Sequence, residues 1–185
     1  MQKGKKLRSQ TITGMKDAIS QPIYDTQDWK TTDPAGQEKL YFQEGINQNK
    51  TLFETNMRES GQLSAGQYYE LRGFSMVILD PVITPAEFNN LLILSRAYLI
   101  FRLLDKDYIT IPCYYIPAFN MMYDQAVTSS RQLNNVPYLK LRKVIPIRGK
   151  QSFSGVVKIQ TALTAIGRNF KIALYMHGDL WRSVQ

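Results

Sequence analysis

The sequence predicts an all-β protein folded as a Greek-key sandwich or jelly roll. About eight segments have strand-like composition or alternation, and only one segment has strong helix signals. The chain shows no internal repeat and no regular alternation of strands with helices, which excludes a parallel α/β fold. With 185 residues and 44% hydrophobic residues, it is long and apolar enough to bury one core.

The central strand is predicted over residues 68–79, the longest alternating stretch of the chain. One predicted face carries the odd-numbered residues from Tyr69 and the other carries the even-numbered ones from Tyr68. Glu70 and Arg72 occur early in the stretch and apolar residues occupy both faces later. The pattern therefore predicts a strand that is half exposed at its start and buried at its end. Gly73 in its middle predicts a bulge or bend.

One helix is predicted over residues 84–95, directly after this strand. Thr84 has the character of an N-cap, Pro85 suits the first helical position, and Glu87 completes a capping box. Apolar residues at helical spacing predict one buried face.

The remaining strands are shorter and are separated by turn signals. A hairpin is predicted from 97–104 and 108–111 around the turn Asp105-Lys106-Asp107. Pro112 and Pro117 make 113–116 an edge or extended segment, and 118–137 is a long connection. The other predicted strands are 39–43, 51–54, 138–147, 153–161 and 170–176.

Two basic zones flank a mixed middle in a chain of net charge +8. Residues 1–37 are polar, so we expect an N-terminal arm there, followed by a β domain over 38–185. The cations of the first zone are Lys3, Lys5, Lys6, Arg8 and Lys16.

The second basic zone lies in the interval from Asp124 to Asp179, which contains no acidic residue. Such zones attract nucleic acid or anionic lipid headgroups, although they also serve solubility. A basic face is predicted on the strand 138–147 and the turn after it, formed by Lys140, Arg142, Lys143, Arg148 and Lys150.

No set of residues with catalytic or metal-binding spacing occurs in the sequence. His177 is the only histidine, so it lacks the partners of a triad or a metal site and is interpreted as a surface or loop residue. Cys113 is the only cysteine and is interpreted as a small buried hydrophobe. We therefore expect neither an enzyme nor a cofactor. The apolar window 88–104 is too polar and too short to span a bilayer, and the N-terminus lacks a secretory signal.

The stretch 52–79 resembles a pattern in the jelly-roll capsid proteins of tailless icosahedral bacteriophages. The resemblance is carried by Thr55-Asn56, Gly61-Gln62-Leu63 and Gly66, followed by a strand over 69–76 with glycine at position 73. The chain is about half as long as the double jelly rolls of that group, whose two barrels it could not supply.

This resemblance implies a single eight-stranded jelly roll that serves as a small major capsid protein or a penton at the five-fold vertices. Such a protein has no active site and self-associates into a shell or ring with other capsid proteins. It is made in the host cytoplasm and resides in the virion. The basic arm would face the genome, an internal membrane or neighbouring subunits. A subunit interface is expected at Pro117, Phe119, Met121, Met122 and Tyr123, because apolar segments interrupted by proline are hard to bury within one sandwich.

Two other interpretations remain open from the residues. A jelly-roll module that binds a receptor or a carbohydrate would expose aromatic residues in its 118–137 loop. A nucleic-acid-binding β-barrel would explain the interleaved aromatic and basic residues at 138–143 and at Phe170-Lys171.

Overall fold

In the part of the chain that the structure describes, two antiparallel sheets pack face to face, and one α-helix lies between the fourth and fifth strands in sequence. A computed structural model describes residues 15–46, 48, 50–79, 85–116, 138–163 and 169–183. The elements within these ranges are β1 (Met15–Ser20), β2 (Ile23–Trp29), β3 (Glu38–Tyr41), β4 (Gln67–Ile78), α1 (Pro85–Leu94), β5 (Tyr98–Leu103), β6 (Lys106–Pro112), a 3-10 turn (Cys113–Tyr115), β7 (Leu139–Arg148), β8 (Phe153–Lys158) and β9 (Phe170–Ser183).

The first sheet is organised around the two longest strands, β4 and β9. They pair with each other, β7 lies on the free side of β4, and both β1 and β2 lie along the other side of β9. The second sheet has the order β3-β8-β5-β6. The prediction of an all-β sandwich is therefore confirmed at the level of two packed antiparallel sheets.

The predicted central strand and its bulge are confirmed. β4 lies between β9 and β7, and its pairing with both shifts register between Leu71 and Gly73. The shift reverses the alternation, because the buried apolar side chains are Tyr69 and Leu71 before it and Phe74 and Met76 after it. The predicted assignment of odd-numbered residues to one face is therefore wrong beyond Gly73.

Aromatic residues from both sheets fill the space between them. The ring centroids of Phe74 and Phe101 lie 5.6 Å apart, which joins β4 of one sheet to β5 of the other. The Trp29 indole N–H donates to the Tyr41 hydroxyl over 3.0 Å, and that hydroxyl donates to the Ile172 carbonyl over 3.2 Å. These polar ends are thus satisfied inside the core.

The predicted arm over 1–37 is wrong for residues 15–37. β2 pairs with β9 from Ile23 to Trp29, and the Trp29 side chain is fully buried. β1 also pairs with β9. This part of the chain was predicted to be an arm because its sequence is polar. Asp25 and Thr26 contribute to that polarity, although both are buried in the structure. Residues 1–14 lie outside the described residues.

The helix and the hairpin appear where they were predicted. α1 spans Pro85–Leu94, with Leu91 and Leu92 buried, while Thr84 lies outside the described residues. β5 and β6 form the hairpin, and Leu104 and Asp105 adopt positive φ values of 50° and 60° at its turn.

Two shorter predictions were wrong. Residues 51–54 form a turn rather than a strand, closed by the Glu54 N–H donating to the Thr51 carbonyl over 3.0 Å. Residues 113–115 form a 3-10 turn rather than an extended segment. With β1 and β2 added and 51–54 removed, the described residues contain nine strands rather than eight.

Candidate functional site

The predicted basic face lies on β7, which forms an edge of the first sheet within the described residues. Leu139 and Leu141 pack against the core, whereas Lys140, Arg142, Lys143 and Arg148 are exposed. Lys150 follows at a turn with a φ of 63°, and its ammonium pairs with Glu59 at 2.6 Å. The prediction of a half-exposed basic strand is confirmed.

A wide bulge displays the middle of this basic face. Lys140 pairs with Gly73 and Ile145 pairs with Leu71, so residues 141–144 of β7 lie opposite Arg72 alone. Arg142, Lys143 and Val144 are exposed in this bulge. The extra residues cannot all pair with β4, so the ladder is interrupted there. Leu141 still packs against the core, while the side chains of Arg142, Lys143 and Val144 are exposed.

Several exposed or half-exposed cations of the described residues have acidic partners, but Lys140, Arg142, Lys143 and Arg148 of β7 do not. Arg72 pairs with Glu70 and Asp179, Lys171 pairs with Glu54, and Arg102 pairs with Asp107. Among the ion pairs formed within the described ranges, none includes Lys140, Arg142, Lys143 or Arg148. The basic face therefore keeps an uncompensated positive charge.

A row of aromatic rings crosses the outer face of the same sheet. The rings of Tyr138 and His177 are stacked with centroids 4.5 Å apart, and those of Tyr24 and Tyr175 are stacked at 5.3 Å. His177 and Tyr175 join the two pairs with a centroid distance of 6.2 Å. The row joins β2, β9 and the residue preceding β7.

His177 is half-buried on the outer face of the sheet, and it lies in a strand, so the loop alternative of its interpretation is wrong. It lies in β9 opposite Gly73, and the absent side chain of this glycine leaves room for the Tyr138 ring. Its Nε2 atom is 2.7 Å from the Ser75 Oγ atom. Burial lowers the pKa of His177 to about 4, because the charged ring would lose hydration.

This Ser–His pair does not have the arrangement of a catalytic site. Ser75 is only 1% exposed, so a substrate could not reach its hydroxyl. No carboxylate among the described residues is hydrogen-bonded to the His177 ring to orient it. The pair instead joins β4 to β9 across the outer face of the sheet.

A group of buried ion pairs lies beside β2 and β3, and sequence reasoning missed it. Lys50 pairs with Asp25 at 2.8 Å, and Lys39 pairs with Asp33 at 2.6 Å, with all four side chains largely buried. Lys50, Lys39 and Asp33 border an open cleft of about 440 Å³. No sequence signal links these partners, because Asp25 and Lys50 are 25 residues apart in the chain.

Two exposed apolar side chains are displayed at the turn 51–54. Leu52 is 63% exposed and Phe53 is 73% exposed. The turn is held from several sides, since the Glu54 carboxylate accepts hydrogen bonds from the Thr51 N–H and hydroxyl at 3.1 Å and also pairs with Lys171. The Tyr24 hydroxyl donates to the Leu52 carbonyl. Leu52 and Phe53 thus lie on a turn whose conformation is fixed by hydrogen bonds and an ion pair.

A second apolar patch lies where α1 meets the 3-10 turn. Ile93 and Leu94 are about half exposed, and Tyr114 and Tyr115 are 58% and 64% exposed. This patch was not predicted as such, although the predicted interface begins next to it. Those residues, Pro117, Phe119, Met121, Met122 and Tyr123, lie outside the described residues.

The arm cations are also largely outside the described residues. Lys3, Lys5, Lys6 and Arg8 lie outside the described residues, while Lys16 lies in β1, where only its backbone is described. The predicted contacts of the arm with a polyanion therefore stay predictions.

The described residues contain no group of three or more His, Cys, Asp or Glu side chains that could hold a metal ion. Cys113 is fully buried, as predicted, and burial raises the pKa of its thiol well above the ordinary value. Within the described ranges, the helix that is present is too short to cross a bilayer.

Comparisons with protein-family models, with curated proteins and with solved structures found no match to this chain.

Proposed function

We propose that this protein is a structural subunit of an icosahedral virus shell, built as a single jelly roll that forms the shell or its five-fold vertices. The observation that carries the proposal is the order of the strands in the two sheets. The apolar surfaces described above supply the means of self-association.

The strand pairing supports the jelly roll because it is nested. β5 pairs with β6, β4 with β7, β3 with β8 and β2 with β9, all antiparallel. This is the pattern of one long hairpin rolled up so that its successive pairs alternate between two sheets. It uses eight strands, and β1 adds a ninth that continues the edge formed by β2.

Self-association is supported by the exposed apolar residues at the turn 51–54 and at the patch between α1 and the 3-10 turn. A subunit that closes into a ring or a shell needs apolar contact surface. Phe53 on its braced turn and Tyr115 beside α1 each expose more than half of a large side chain. They lie on different parts of the sandwich, which suits contacts between unlike surfaces of neighbouring copies.

The partners and the location follow from the proposed role. The subunit would contact further copies of itself and other capsid proteins in the virion, after synthesis in the host cytoplasm. Lys3, Lys5, Lys6 and Arg8 would reach toward the genome, membrane headgroups or neighbouring subunits.

The test is the size of the full chain in solution, measured by light scattering over a range of concentrations and by electron microscopy. We expect closed rings or shells, and a monomer at every concentration would overturn the proposal. Phe53→Asp should weaken the assembly without unfolding the chain. Leu104→Asp is the matched control, because it places the same charge at the exposed tip of the β5–β6 hairpin, where a positive φ tolerates Asp.

The second candidate is a jelly-roll module that binds a carbohydrate or a receptor. The adjacent exposed rings of Tyr114 and Tyr115 favour it, because sugars bind on exposed aromatic faces. A glycan array would distinguish the two candidates. Binding that is lost in Tyr114→Ala or Tyr115→Ala, by a chain that stays monomeric, would favour the module.

A further inference from the structure

We propose that the exposed side of β7 binds the phosphate backbone of a nucleic acid, through Lys140, Arg142, Lys143 and Arg148. The inference deepens the proposed shell function and rests on it for its setting, because a shell encloses a genome. The binding itself is argued from charge, exposure and strand geometry.

The first argument is the concentration of unpaired cations on β7. On β4 and β9, Arg72 is neutralised by Glu70 and Asp179. On β7, four cations occur within nine residues, and the described ion pairs leave all four without an acidic partner. Like charges held this close repel one another, so a polyanion is the partner that would relieve the repulsion.

The second argument is the geometry of the bulge. Residues 141–144 lie opposite a single residue of β4, which turns Arg142 and Lys143 outward at an edge of the sheet. Both are exposed, as are Lys140 before the bulge and Arg148 after it. The cations thus follow one line along the strand, and a phosphate backbone could run beside them.

Protection of an edge strand explains less of this surface. Lysines, prolines and bulges all prevent edge strands from pairing with other chains. β7 already has Pro146 and the wide bulge for that purpose. Protection requires neither four unpaired cations nor a complete absence of acidic residues from 138 to 163.

The surface suits a nucleic acid better than a lipid layer or an acidic protein. Those partners bury apolar side chains beside the charges, whereas phosphate contacts need only cations and hydrogen-bond donors. Val144, at 46% exposure, is the one large apolar side chain that β7 exposes. The half-buried Tyr138 beside Lys140 adds an aromatic ring of the kind that stacks on bases.

The test measures binding of the full chain to labelled oligothymidylate of about 30 nucleotides and to a duplex of about equal length. Each contacted phosphate contributes about −0.7 to the slope of log K against log salt for a single strand. The variant Lys140→Gln/Arg142→Gln/Lys143→Gln should therefore flatten the slope by about 2 and weaken binding at least tenfold near ~0.1 M salt.

The matched control is Lys30→Gln/Arg58→Gln/Lys158→Gln. It removes the same charge from exposed or half-exposed positions away from β7, so the total charge of the two variants is equal. We expect the control to keep most of the affinity and the slope. Equal losses in both variants would overturn the inference, because binding would then depend only on total charge. Tighter binding to vesicles containing phosphatidylglycerol than to either oligonucleotide would also overturn it.

Light scattering on the same samples separates this inference from the proposed function. Wild-type chain that assembles but does not bind nucleic acid would overturn the inference and leave the shell function standing. Chain that binds through β7 but remains monomeric would support the binding site and overturn the shell function. Thermal unfolding of each variant checks that a loss of binding is not a loss of fold.

Discussion

Lys50 Nζ lies 2.8 Å from Asp25 Oδ1, although these residues stand in different segments at the side of the sandwich. The same ammonium donates to the Thr26 carbonyl over 2.7 Å, and the other oxygen of Asp25 accepts the Phe42 N–H over 2.6 Å. Phe42 has a positive φ of 68°, which is uncommon for an aromatic residue. Asp25 thus fixes the backbone of Phe42, the residue that follows β3, and Lys50 neutralises the charge of the Asp25 carboxylate.

Removing Lys50 should be costly. Lys50→Met leaves the fully buried Asp25 carboxylate without its cation, which typically destabilises by about 3–5 kcal/mol. Burial already raises the pKa of Asp25, and the loss of Lys50 raises it further. The deficit in unfolding free energy should therefore shrink as the pH falls and Asp25 takes up a proton. Urea unfolding at several pH values measures this.

The control for this prediction is Lys158→Met, which removes an exposed ion pair to Glu38 with a separation of 3.5 Å. It should cost no more than about 1 kcal/mol. An equal cost for the two variants would contradict the role of Lys50.

His177 should titrate far below an ordinary histidine. NMR should give a pKa near 4, and the resonance needs no assignment because the chain has one histidine. A pKa lowered in the folded state means that stability is fully present above the ordinary value of about 6.5 and is lost as the pH falls toward 4.

Protonation of His177 at low pH should lower the unfolding free energy by about 2 kcal/mol or less, because the ring is not fully buried. His177→Phe keeps a ring beside Tyr138 but cannot be protonated, so its stability should lack this fall. A pKa near 6.5 in the folded wild type would contradict the prediction.

Gly73 and Gly178 should not tolerate a methyl group. A Cβ atom at Gly73 would lie 2.2 Å from the Leu139 carbonyl oxygen, and one at Gly178 would lie 2.1 Å from the Glu70 oxygen. Since backbone atoms cannot move aside cheaply, either alanine variant should lose about 1–3 kcal/mol or more. At Gly155 the nearest atom, at 2.9 Å, is a methyl of the Leu174 side chain, so Gly155→Ala should cost less. Denaturant midpoints give the ranking.

The contribution of Glu54 to the unfolding free energy should depend on pH. Its hydrogen bond with Lys171, and then that with the Thr51 N–H, lower its pKa from 4.5 to about 2. This contribution is present above pH 4.5 and is lost as the pH falls toward 2. Glu54→Gln should cost about 1 kcal/mol or less at pH 7, because Lys171 is half exposed, and much less at pH 2, where Glu54 is about half protonated. A cost that did not change with pH would contradict this.

Sequence patterns predicted the parts of the fold whose signals are local. Tyr69 and Leu71 alternate with polar residues, Pro85 begins the helix, and the turn at Asp105 joins two apolar strands, so these elements were found. β2 was missed because Asp25 faces inward at a position where the pattern requires an apolar residue. Its burial depends on the ion pair with Lys50, and a contact between residues so far apart in the chain produces no periodic pattern in the sequence.

Sequence patterns likewise predicted only part of the candidate site. The basic face was found because exposure alternates along β7 between Leu139 and Arg142. His177 was misplaced because the following Gly178 suggests a turn, whereas here the glycine lets β9 pass close to Glu70. The apolar turn at Phe53 was missed because exposure at a turn depends on what braces it, which is Lys171 in this case.

The nested pairing also affects how the chain must be made. β2 and β4 share no hydrogen bonds with each other, and β9 lies between them. During translation both strands leave the ribosome well before residues 170–183, so the first sheet stays open until β9 arrives. Contacts this distant in sequence form slowly and leave unpaired edges exposed in the meantime. A nascent chain stopped before residue 170 should therefore aggregate or recruit chaperones, and fold only once β9 is supplied.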